Sequence, residues 1–75
     1  SKQSIVDLMT EQKEKAANLL KEYRTTCESE HVKSKIPTVL SLLESLNTKD
    51  ISDDNIVKCL SVTRLCDELM ENDNE

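Results

Sequence analysis

The chain has 75 residues, 36% hydrophobic and 33% charged, with a net charge of −5, one aromatic residue (Tyr23), one proline (Pro37) and no glycine. Without glycine there is no phosphate-cradling P-loop, dinucleotide-binding turn or nucleophile elbow, and hairpin turns and strands lack the residues they favour. No apolar run exceeds two residues, so nothing in the sequence reads as a membrane span or a secretory signal.

The length allows one small domain, residues 1–75. The chain opens at Ser1 without a methionine, which suggests a domain cut from something longer. The expected fold is all-α, a three-helix antiparallel bundle with a long first helix.

The first helix is expected from about residue 5 to about 27. Ser4, followed three residues later by Asp7, forms a capping-box-like start. Ile5, Leu8, Met9, Ala16, Leu19, Leu20, Tyr23 and Cys27 fall within one arc of about 120°. Charged and polar residues take the other side, and only Val6 and Ala17 are apolar off the stripe.

Residues 24–33 lose that period, which places a joint near 28–34. The second helix is expected at about 35–46, with Ser34 as cap and Pro37 in the first turn, where a missing N–H costs nothing. One helix continuing through Val32 would put Pro37 in its interior, at about 3 kcal/mol. The segment Asn47 to Asp50 reads as a turn, with Asn47 in the left-handed position.

Ser52 caps the third helix, expected at about 53–70. Asp53 and Asp54 lie in its first turn, where the helix dipole favours negative charge. Ile51 and Ile56 are placed as a hydrophobic staple across that cap. Residues 71–75 read as an acidic tail, and residues 52–75 carry the whole −5.

The third helix is more apolar than a helix buried on one side needs. Its apolar residues spread over about 220° of the wheel. Either it is central to the bundle or part of its surface is completed by another chain. Ile56, Leu60 and Cys59 are read as its inward stripe. Val62, Leu65 and Leu69 fall together on another side, with Leu42 of the second helix as neighbour. These four are the candidate partner-binding residues.

Chemistry has little to work with. Cys27, His31, Cys59 and Cys66 could form a Cys3His zinc site, but their spacing matches no short knuckle, and they read instead as buried cysteines filling apolar space beside a solvated histidine. A Cys27–His31 nucleophile pair lacks an orienting third group. No catalytic residue, metal or other cofactor is assigned, and no enzyme is expected. Three cysteines, two of them too far apart on one helix to bridge, fit a reduced intracellular protein. With no concentrated basic face, nucleic acid is not an expected partner.

The order of a leucine-rich helix (Leu40 to Leu46), an Asn-containing turn (Asn47) and a capped helix (Ile51-Ser52-Asp53) resembles a known pattern. It is that of a helical domain shared by the steroid-receptor RNA activator protein and the C-terminus of the large outer subunit of the COPII coat. The resemblance spans residues 34–73, about half the chain, and implies a helical hairpin there. The functions left open are a helical module that binds a partner helix or short linear motif, and a self-associating homodimeric module.

Overall fold

The computed structural model describes residues 1–72. It contains three helices, α1 (Lys2–Thr26), α2 (Glu30–Glu44) and α3 (Asp53–Asn72), each packed on the other two. The chain is an all-α three-helix bundle, 41 Å long and under 20 Å across. Long-range contacts fix the directions. The Tyr23 hydroxyl donates to the Met70 carbonyl, so α1 and α3 end together. Lys13 Nζ donates to the Leu46 carbonyl, 3.0 Å away, so the end of α2 lies beside the first half of α1. Thus α2 runs antiparallel to its neighbours, while α1 and α3 are parallel.

Each helix boundary has a local cause. Helix α1 starts earlier than the sequence suggests, because Ser1 rather than Ser4 caps it: Ser1 Oγ accepts the Ser4 N–H at 3.3 Å. The first joint is shorter than expected. Cys27 leaves the helix in an extended conformation, and Ser29 already caps α2 by accepting the Val32 N–H. Ser34 is therefore not a cap, and Pro37 sits inside α2 as its eighth residue. The proline removes one helical hydrogen bond, at about 3 kcal/mol in a helix interior. The extra turn it interrupts brings Val32 into the core above the fully buried Ile36. Burial of Val32, at about 1.5–3 kcal/mol, together with the hydrogen bonds of the added turn, offsets the cost.

The second joint differs in detail as well. No described residue has positive φ, so Asn47 is not left-handed. Its side chain instead accepts the Lys49 N–H, and Asp50 does the same for Ser52, giving two successive Asx turns. Asn55 then reaches back to the Asn47 and Asp50 carbonyls at 2.7 and 2.6 Å, tying the joint to α3. Ser52 caps α3 as expected, and Ile51 and Ile56 both pack against the core on either side of that cap. Helix α3 continues through Glu71 and Asn72. The rest of the expected acidic tail, residues 73–75, lies outside the described residues.

The core is one cluster fed by all three helices. Leu20, Ile36, Leu43 and Cys66 are fully buried, ringed by Met9, Ala16, Ala17, Cys27, Val32, Val39, Leu46, Cys59 and Leu69. No buried side-chain polar atom among the described residues lacks a hydrogen-bond partner. The cysteines fill core space as small apolar groups, and none is in a disulfide.

Candidate functional site: an apolar groove between α1 and α3

Because α1 and α3 are parallel, their first halves lie side by side. There the seam between them stays open. A groove of about 340 Å³ is lined by Ile5, Leu8 and Met9 of α1, Leu46 from the end of α2, and Ile56, Cys59 and Leu60 of α3. Met9, Leu46 and Cys59 form its floor and belong to the core. Its walls are exposed: Leu60 by 62%, Leu8 by 57% and Ile5 by 38%. Gln12 and Thr63 close it with neutral polar groups, and Lys13 stands at the edge.

Lys13 has another task. Its ammonium donates to the Glu44 and Leu46 carbonyls, two of the acceptors left over where α2 ends. A cation at a helix C-terminus also opposes the negative end of the dipole. The groove therefore has an apolar interior, and its nearest charge is directed at the fold.

The residues singled out from sequence are distributed differently. Leu65 and Leu42 are exposed, by 41% and 42%, as a partner surface requires. Val62 is half-buried and packed on the core, and Leu69 is only 7% exposed and part of it, so neither offers the open surface expected. Leu60, expected inside, is the most exposed of the large apolar residues. The cause is the direction of burial. Helix α3 packs on both neighbours, so its inward line bisects them and runs through Cys59, Cys66 and Leu69. The sequence reading centres the inward stripe on Ile56, Cys59 and Leu60, whereas the buried line runs from Cys59 to Cys66 and Leu69, which leaves Leu60 about 100° round from Cys59, on the flank.

The four residues considered for zinc do not meet. His31 is exposed. Cys59 shares the groove with Met9, which lies 18 residues before Cys27 on α1, about 27 Å along the axis. Among the described residues, no three His, Cys, Asp or Glu side chains are grouped as metal ligands. Burial pushes the Cys66 thiol up, with help from Asp67, and pushes Cys59 up despite Lys58 and Lys13. Both stay protonated and poorly nucleophilic near neutral pH.

Among the described residues, no helix is long and apolar enough to cross a membrane. Residues 34–72 form the helical hairpin implied by the resemblance noted above. No family model matches the chain, and neither a curated protein nor a solved structure matches it.

Proposed function

We propose that this domain is a non-catalytic protein-interaction module that takes an apolar partner segment, a helix or short linear motif, into the α1–α3 groove. The observation behind this reading is the exposure of Leu60, Leu8 and Ile5 around a floor that is already part of a complete core. Folding does not need those side chains outside, so their retention there points to another use. The groove holds two or three apolar side chains, the number a helix presents at i, i+3 or i+4, and i+7. The reduced, buried cysteines fit a reducing compartment.

Self-association is the second reading, because two copies could cover each other's grooves. Light scattering of the domain alone separates the two: a monomer is expected on the binding reading, and a concentration-independent dimer on the self-associating one.

Selection from a displayed library of helical peptides tests the binding reading, with a Leu60→Asp domain as counter-screen. Leu60 is exposed, so this variant keeps its helicity. Peptides that bind the parent domain and not the variant support the reading. Failure to enrich any, or equal binding to both, overturns it. A stable dimer that Leu60→Asp dissociates would transfer the groove to the self-associating module.

A further inference from the structure

The groove continues along the α1–α3 seam. Gln12 and Thr63, which close it, also line a smaller depression that both helices form, with Lys15, Ala16 and Leu19 on α1 and Asp67 on α3. Above the floor, the residues along the seam keep a regular spacing. On α1 they are Ile5, Leu8, Gln12, Lys15 and Leu19, alternately three and four apart, and on α3 Ile56, Leu60, Thr63 and Asp67 follow the same rule. Such spacing keeps a stripe on one face of a helix. From Ile5 to Leu19 the stripe is about 21 Å long, the length of a helix of about fourteen residues.

The two stripes change chemistry together. Ile5 and Leu8 stand with Ile56 and Leu60 in the apolar groove, Gln12 with Thr63 at its end, and Lys15 with Asp67 beyond them. The Thr63 hydroxyl donates to the Leu60 carbonyl, but Gln12 has no hydrogen bond among the described residues. Lys15 and Asp67 have no hydrogen bond or ion pair there either, whereas Arg64 is held by Glu68. The seam therefore offers two unused charges of opposite sign, one on each helix.

Resting on the interaction reading above, we infer that the occupant is a single amphipathic helix matched to this order. Its stripe begins with two apolar anchors between Leu8 and Leu60 and then presents an amide or hydroxyl to Gln12. Beyond that it carries an acidic residue on the flank over α1, at Lys15, and a basic residue on the flank over α3, at Asp67. The spacing calls for a helix, because a helix with the same spacing seats its side chains between those of the two stripes. Its backbone is also satisfied internally, as an apolar groove requires. An apolar residue over Gln12 would strip the amide of water and leave it unpaired, so the polar contact fixes the register. The two charges fix the direction, since a helix turned end for end exchanges its flanks and meets like charge on both sides.

The test takes helices selected against the parent domain and measures them on a domain carrying Lys15→Asp and Asp67→Lys together. Both residues are exposed and the net charge stays at −5, so the fold and the long-range field are kept. Selected helices are expected to carry an acid and a base on opposite flanks and to bind the exchanged domain about tenfold more weakly at low salt, a difference that shrinks as salt is raised to about 0.5 M. A helix with its own acid and base exchanged regains affinity for the exchanged domain. Replacing its central amide or hydroxyl residue with leucine weakens binding to the parent but not to a Gln12→Leu domain. Selected helices with no flank preference, or with equal affinity for the parent and exchanged domains, overturn the matched occupant. The interaction reading survives that result if Leu60→Asp still abolishes binding, and falls with it if Leu60→Asp changes nothing.

Discussion

Helices α1 and α3 share one seam with two different ends. At the C-terminal end the seam is shut: Leu20 and Cys66 are fully buried, and the Tyr23 hydroxyl fastens onto the Met70 carbonyl. At the N-terminal end, Ile5, Leu8 and Leu60 flank a groove and remain exposed. Both ends are rich in apolar residues, so composition does not separate them. Position does. Apolar residues on the line between both neighbours are buried within the bundle, and those one step off that line stay available to something else.

The largest expected effect breaks the comparison directly. Leu20→Ala should destabilise the domain by about 2–5 kcal/mol, because it opens a cavity at the closed end. Leu60→Ala should change stability by under about 0.5 kcal/mol, as an exposed substitution does. Urea unfolding followed by circular dichroism reads both. Equal losses would show that the two ends are packed alike.

Two polar fastenings sharpen the picture. Tyr23→Phe removes the hydroxyl that latches the closed end and should cost about 1 kcal/mol. Lys13→Met keeps the aliphatic stem but strips the cation from the end of α2, and should cost about 1 kcal/mol, less at high salt. Calorimetric melting at two salt concentrations separates them, since only the lysine variant's loss depends on salt.

Acid and alkali act on different places. The buried Cys66 and Cys59 thiols titrate above their ordinary value of 9.0, so the unfolded chain releases these protons first. The stability they contribute is complete below about pH 9 and is lost as pH rises from there through the raised values. Cys66→Ala should flatten that alkaline decline. Asp50 has the opposite sign. The backbone N–H and hydroxyl of Ser52 hold its carboxyl below the ordinary 3.8, so its contribution is present above that pH and is lost as pH falls through the lowered value. Asp50 is fully exposed, so Asp50→Asn should give the smallest change of all, a slight loss present above the ordinary carboxylate range that vanishes in acid.

Much of the fold was legible in sequence because amphipathic period and caps are local. The helical period of α1 and the Ser52 cap with its Ile51–Ile56 staple needed no tertiary information, but the α1 stripe did not locate the core: Ala17, expected off it, is buried, while Leu8 and Leu19, expected on it, are exposed. The start of α2 was not legible. Pro37 argued locally for a first-turn position, and only the burial of Val32 in the assembled core offsets the lost hydrogen bond. The Asn47 turn uses a side-chain acceptor where a left-handed residue was expected, two solutions that suit the same asparagine. For the site, an apolar excess on α3 could be read from the wheel. Its location could not, because the inward line of a helix depends on where both neighbours pack, and two cysteines mark that line.

The apolar surplus lies at the open end of the α1–α3 seam, where we propose that the partner docks. Amide chemical-shift mapping of the domain, titrated with a helix selected on it, tests this most directly. Shifts are expected to concentrate at Ile5, Leu8, Met9, Cys59, Leu60 and Thr63, with Leu42 and Leu65 unmoved. Shifts centred on Leu42, Val62 and Leu65, with the groove residues silent, would contradict it.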